Sequence, residues 1–103
     1  MKTSHTLIHN AAEGRYEFDL GGGARAYIEY EEHPEGLVLT HTIVPPQFEG
    51  QGIAAELTAA TLDAIRARGL RIIPQCSYIV RYIERHPEWQ TLVAEAAAGA
   101  ERQ

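Results

Sequence analysis

Two glycines one residue apart carry the most specific chemical signal in this chain. They lie in Gln47-Phe48-Glu49-Gly50-Gln51-Gly52-Ile53-Ala54, which joins a β-prone run to a run with helical periodicity. At such a junction the free amides and the positive end of the helix dipole can hold a phosphate, and glycine lets the backbone come close because no Cβ intervenes. Alone, the pair fits a plain tight turn equally well. Two competing readings fail on the sequence. Gly50-x-Gly52-x-x-Ala55 also fits a dinucleotide-binding fingerprint, which expects an acid about 20 residues on, yet Leu70 to Cys76 contains no Asp or Glu. A Walker A loop would need Gly-Lys-Ser/Thr, which does not follow. Two other side chains have chemistry to offer. His41 is the best candidate base, because an imidazole titrates near neutrality. Cys76 is the only thiol, so no internal disulfide can form, and no Cys/His cluster has zinc spacing.

These residues must be positioned by the elements around them, and the first half of the chain reads as strands. Thr6 to His9 is short. Arg15 to Leu20 and Ala24 to Glu31 alternate polar and apolar residues, with Gly21-Gly22-Gly23 as the turn between them. Leu37 to Val44 is the most β-prone stretch and reads as covered on both faces, and Pro45-Pro46 stops it. By strand parity His41 shares an apolar face with Leu39 and Ile43, so a structural histidine is the alternative to a base. From Gly52 to Arg68 the period turns helical: Ile53, Leu57, Ala60 and Ala64 form a stripe, and Leu62 opposite it implies cover on two sides. Gly69 terminates that helix. Leu70 to Cys76 reads as a fifth strand. Ile79, Tyr82 and Ile83 suggest a short helix broken by Pro87, and Trp89, Leu92, Val93 and Ala96 a last amphipathic helix before a frayed end from Gly99 to Gln103.

Gln47-x-x-Gly50-x-Gly52 after a strand and opening a helix resembles the acetyl-CoA signature of the GNAT N-acetyltransferase superfamily. More narrowly, the chain is similar to the very small single-domain GNAT-like proteins. That likeness rests on Thr40-His41-Thr42, Val44-Pro45-Pro46, Gly50-Gln51-Gly52-Ile53, Pro74-x-Cys76-Ser77 and Tyr82-Ile83-x-Arg85-His86-Pro87-Glu88, and runs from about Tyr16 to Val93. The resemblance implies an α+β fold: a mixed, mainly antiparallel sheet of about five strands, splayed between strands four and five. The main helix follows strand four, and short helices end the chain. Acetyl-CoA would enter the V, with its pantetheine arm on the backbone of Ile43 and Val44. Its pyrophosphate would rest on amides from Glu49, Gly50, Gln51, Gly52, Ile53 and Ala54. The sequence departs from the pattern twice: relatives often carry Glu where Ile43 stands, and many members have Arg where Glu49 stands.

Under that resemblance the remaining candidates acquire roles. Acetyl transfer needs a deprotonated amine, a polarised thioester carbonyl and a proton for the leaving thiolate. Cys76, beside the V, either carries the acetyl group or lines the acyl pocket, and its alternative is a small buried hydrophobe. No adjacent base is evident to form its thiolate, which favours direct attack by the amine. Tyr78 and Tyr82 stand where many GNAT enzymes keep a tyrosine that protonates the thiolate; Tyr82 has core spacing, and Tyr78 has more freedom. Ser77 belongs to the same pattern at the cofactor site. Arg81, Arg85 and His86 could meet CoA phosphates, with Arg85 favoured by the matched pattern, or could be a solvated helix face.

Composition sets the outer bounds. A chain of 103 residues with 45% hydrophobic and 22% charged residues fits one domain spanning 1–103. No run approaches the roughly 18 apolar residues of a membrane span, and Met1 to Asn10 lacks the apolar core of a secretory leader, so a cytoplasmic protein without a membrane partner is expected. The net charge of −5 argues against a sequence-independent grip on nucleic acid. Residues 1–50 hold eight acids and three bases, and residues 51–103 hold six of each. Glu29, Glu31, Glu32 and Glu35 therefore form either a solvated sheet edge or a guide for a cationic acceptor. The expected function is acetyl-CoA-dependent transfer to an amine on a small molecule or protein. The alternative is a non-catalytic acyl-CoA-binding or protein-interaction module.

Overall fold

Alternating polarity in the first half of the chain lays down four antiparallel strands before any long helix forms. In the computed structural model, which describes residues 5–94, these are β1 (Leu7–Asn10), β2 (Arg15–Gly21), β3 (Ala24–His33) and β4 (Gly36–Ile43). A 3-10 turn (Pro46–Phe48) leads to helix α1 (Ile53–Ala67), then to β5 (Ile72–Pro74), α2 (Ser77–Arg85) and a second 3-10 segment (Pro87–Leu92). The sheet runs β1-β2-β3-β4-β5, antiparallel throughout except for the parallel β4–β5 pair. This is the mixed, splayed five-stranded architecture that the sequence led us to expect. No helix among the described residues is long and apolar enough to cross a membrane.

One core holds the layers together. Tyr16, Phe18, Ala26, Ile28 and Leu39 on the inner face of the sheet pack with Ile53, Leu57, Leu62 and Ile65 of α1. Ile79, Ile83, Leu92 and Val93 extend the same core beside α1. Leu62 and Thr58 are buried along with the Ile53–Leu57 stripe, so α1 is covered on two sides. The opposite face, formed by Ile8, Glu17, Tyr27 and Ile43 in one row and Asn10, Arg15, Glu29 and His41 in the next, contributes nothing to that core. Glu17 is nevertheless buried there, and its carboxylate receives Arg25 and Asn10.

Several expectations need correction. β4 is covered on both faces only at Leu37, Val38 and Leu39; from His41 onward it is partly or fully exposed. The cause is a bulge: Glu29 pairs with His41 and Tyr30 with Leu39, which leaves Thr40 without a partner. One extra residue inverts the period-two pattern, so His41 and Leu39 point to opposite faces. Glu29 and Glu31 lie on an interior strand and not on a sheet edge. The fifth strand is three residues long, because the Gln75 and Cys76 amides both turn to the Leu39 carbonyl and α2 starts directly after them. The last amphipathic segment is a 3-10 helix, after which Val93 bridges to Ile72 in extended form. Ala96 and Gly99 to Gln103 lie outside the described residues.

Gly36 is where the β3–β4 hairpin passes closest to the chain entering β5. A Cβ there would stand 2.5 Å from the carbonyl oxygen of Arg71, the same oxygen that accepts from the Leu37 amide. Gly36→Ala is therefore expected to cost about 1–3 kcal/mol in urea unfolding. Gly22→Ala, where a Cβ meets open space, should cost less, and equal losses would refute the close-packing argument.

Candidate functional site

The site begins where β5 stops. β4 and β5 pair only from Leu37 to Leu39, while β3 continues to hold β4 as far as Ile43. The outer edge of β4 from Thr40 to Ile43 thus has no strand partner among the described residues. The two chains part at the Leu39 carbonyl, which accepts both the Gln75 amide (3.1 Å) and the Cys76 amide (2.9 Å). α2 starts at the next residue, with Cys76 as its N-cap.

That backbone arrangement puts Cys76 across the cleft from Thr42, with Oγ1 and Sγ 3.5 Å apart. Burial pushes the thiol pKa up, but the Thr42 hydroxyl and the amides of Ile79, Tyr78 and Thr42 favour the thiolate more strongly, and the net position is below that of an ordinary cysteine. Helix N-terminal amides lower thiol pKa values in this way. No neighbouring base is required. The sequence patterns contained Thr42 but gave no sign of its role, since 34 residues separate it from Cys76. Tyr78 and Tyr82 are both pushed above the ordinary phenol range by burial. Both therefore remain proton donors at neutral pH.

The glycine loop lies one 3-10 turn beyond β4. Gly50 and Gly52 take φ of 85° and 77°, and a Cβ on either would meet open space, so it is the left-handed backbone that requires glycine. Gly52 caps α1 and accepts the Glu56 amide at 3.1 Å. Glu49 departs from expectation: its amide is committed to the Pro46 carbonyl at 3.2 Å. Amides of Gly50, Gln51, Gly52, Ile53 and Ala54 are claimed by no backbone carbonyl among the described residues. Beside Ala55 of the first helical turn, α2 presents Tyr78, Tyr82 and His86 at helical spacing, with Tyr82 and His86 stacked at 4.2 Å. Together with Arg81 and Arg85 they line a cavity of about 190 Å³. Ser77 is exposed at the start of α2.

The structure thus gathers Thr42, Cys76 and the start of α2 at one point, and Arg85 with Ala55 of the first turn of α1 at another. It does not bring His41 to Cys76. The bulge turns His41 onto the outer face, where Nδ1 lies 3.1 Å from Glu29 Oε1. Ile43 shares that face and is 40% exposed. Among the described residues no cluster of His, Cys, Asp and Glu could hold a metal ion.

Comparison with known proteins gives the chain its relatives. A family model described as GCN5-related N-acetyl-transferase matches residues 15–92. Protein NATD1 of Xenopus tropicalis is 38% identical over 87 residues, covering 82% of this chain and 80% of that protein. The Gallus gallus and Mus musculus proteins of that name are 38% identical over 64 residues, and this match spans 61% of the chain and only 58% of either relative's length. A solution structure of a GCN5-like protein from Staphylococcus aureus superposes with a TM-score of 0.65 at 23% identity, covering 90% of each chain.

The Cys76 environment makes a direct prediction. Because the net shift is downward, the pH midpoint of iodoacetamide alkylation should fall below that of a free cysteine. Thr42→Val should move the midpoint up and slow alkylation at neutral pH by roughly two- to tenfold, the value of one hydrogen bond. An unchanged profile in that variant would remove Thr42 from the account.

Proposed function

This chain belongs to the GCN5-related N-acetyltransferase family, and we propose that it binds acetyl-CoA between β4 and β5 and transfers the acetyl group to an amine. The observation that carries this reading is the free outer edge of β4, one short turn from five unclaimed amides at the start of α1. An extended amide-bearing arm can pair with such an edge, and a pyrophosphate suits such a helix start. Ile43 and Val44 would hold the pantetheine arm, and Gly50 through Ala54 the pyrophosphate. Arg85 adds positive charge from α2, with Ser77 nearer the acyl end.

The transfer is a direct attack. The amine nitrogen bonds to the thioester carbon, the carbon–sulfur bond breaks, and the acetyl group leaves on nitrogen. His41, open to solvent on the outer face and not at the acyl end, takes the proton from the amine as it approaches, before the attack, and Tyr78, kept protonated by burial, supplies one to the departing CoA sulfur. Cys76 lines the acyl end of the cleft, its thiolate favoured by Thr42 and the α2 amides. The β1–β2 connection is a tight turn from Asn10 to Gly14. With no helical insertion there to wall off a small molecule, a lysine side chain on a polypeptide is the acceptor class we favour. The exposed, apolar Ile43, which offers no carboxylate to an acceptor, supports the second reading, an acyl-CoA-binding module without turnover.

Binding and turnover are separable by experiment. Acetyl-CoA should raise the melting temperature, and no shift at millimolar ligand would refute both readings. Gly52→Ala, which strains a φ of 77°, should weaken binding by about tenfold, and Arg85→Ala by about two- to fivefold. Release of free CoA in the presence of lysine-bearing peptides supports transfer, whereas binding without release leaves the module. Intact mass after acetyl-CoA incubation tests Cys76: an adduct absent from Cys76→Ala would replace direct attack with a covalent step.

A further inference from the structure

Of the four glutamates from Glu29 to Glu35, Glu29 alone is built into a relay that ends on the candidate base. Its Oε1 lies 3.1 Å from His41 Nδ1 and its Oε2 lies 3.5 Å from Arg15 Nη2. Arg15 is itself laid over the Tyr27 ring, 4.1 Å from the centroid. All of these groups stand on the outer face, in the rows that β1, β2, β3 and β4 share there. The charged groups facing His41 are Glu29 from β3 and, behind it, Arg15 from β2; Asn10 of β1 completes the row without charge.

A second contact decides which nitrogen carries the proton. Thr40 Oγ1 is 3.2 Å from His41 Nδ1, and the same hydroxyl donates to the Glu29 carbonyl oxygen at 3.2 Å. With its proton committed there, the Thr40 oxygen can only accept from the ring. Both neighbours of Nδ1 are therefore acceptors, and a neutral imidazole satisfies them only as the Nδ1–H tautomer. Nε2 then keeps its lone pair. No partner meets Nε2 among the described residues, and the side chain is 64% exposed.

We propose that Glu29 is a positioning residue that, with Thr40, locks His41 as the Nδ1–H tautomer and aims a free Nε2 lone pair outward for the proton of an incoming amine. This rests on the acetyl-transfer reading above for the identity of the acceptor, but the tautomer does not. The bulge at Thr40 is what makes the arrangement possible. An unbroken strand would have turned His41 toward the core, on the side of Leu39. Glu31, Glu32 and Glu35 have no such role, and their neutralisation should leave the ring unchanged.

The test uses the full chain with 15N-labelled histidine. Long-range proton–nitrogen correlation spectra are recorded above the histidine titration range, and His41 is assigned by its loss in His41→Asn. Wild type should show His41 mainly as Nδ1–H, the minor form of free imidazole. Glu29→Ala should shift the population toward Nε2–H, and Glu29→Gln, whose amide oxygen still accepts, should restore much of the wild-type signature. A predominantly Nε2–H wild type, or a tautomer indifferent to Glu29→Ala, overturns the proposal. Transfer to a lysine-bearing peptide gives the second readout: Glu29→Ala should lower kcat about tenfold or more at unchanged KM for acetyl-CoA, and a flipped tautomer with full kcat also overturns it. No transfer by wild type with the Nδ1–H signature intact would refute the enzymatic reading and, with it, the proton-accepting role, while the Glu29–His41 lock would stand.

Discussion

The whole site hangs on the place where the β4–β5 ladder ends. The parallel pairing goes no further than Leu39, which stands opposite Pro74. The Leu39 carbonyl takes two amides at once, from Gln75 and Cys76, and those two hydrogen bonds to one oxygen turn the chain out of the strand and into α2. Three consequences follow from the same turn. β4 is left with a free outer edge, because β3 alone holds Thr40 to Ile43. Cys76 is fixed by its own backbone as the cap of α2. The amides of Tyr78 and Ile79, orphaned as helix N-terminal amides always are, find the sulfur. A ladder two residues longer would close the cleft and move the thiol out of reach of Thr42.

The bulge on β4 is the second constraint, and it works in the opposite direction. Leu39 remains the last inward side chain on the core side of the bulge, while His41 and Ile43 are carried to the outer face. On β3 the bulge falls between Glu29 and Tyr30, and the Tyr30 amide donates at 2.8 Å to the carbonyl of Gly14 in the β1–β2 turn. Two strands and the β1–β2 turn thus meet at the same irregularity. Its position is set by backbone bonds on both flanks, which is what lets a single unpaired residue at Thr40 hold a reproducible side-chain arrangement. Twist and register at a bulge are properties of the strand pair, not of either strand alone.

That is also why the sequence disclosed some of this and hid the rest. Alternation in Arg15–Leu20 and Ala24–Glu31 exposed β2 and β3, and the Ile53–Leu57 stripe with Leu62 behind it exposed a helix covered twice. Gly50 and Gly52 identified the loop, since a left-handed backbone before a helix has few other residues to choose from. Counting parity along β4 assumed an unbroken pleat, so the assignment of His41 to the face of Leu39 inverted at Thr40. The contacts Thr42–Cys76 and Glu29–His41 join residues brought together only by strand pairing, and no periodicity encodes them. The Trp89 segment showed helical spacing, but Pro87 and the bridge from Val93 to Ile72 leave room only for 3-10 turns. Local preference yields there to a non-local bond.

The uneven charge takes on a more definite meaning once partners are assigned. Of the arginines after residue 50 that are described, Arg66 lies over Trp89 and reaches Asp63, Arg68 donates to the Tyr16 hydroxyl, and Arg71 donates to the Thr91 carbonyl. These three fasten α1 and the α1–β5 connection to their surroundings. Arg81 and Arg85 make no such bond and stand together on α2, beside the first turn of α1. On the acidic side, Glu17 is neutralised by Arg25 and Glu29 faces Arg15 and His41, which leaves Glu32 and Glu35 toward the β3–β4 hairpin and the exposed Glu49 beside the glycine loop. The cations left uncommitted, Arg81 and Arg85, thus stand together beside the first turn of α1, while Glu32 and Glu35 stand at the far end of β3. Under the proposed reading, an anionic cofactor would meet there two positive charges that the fold itself does not need.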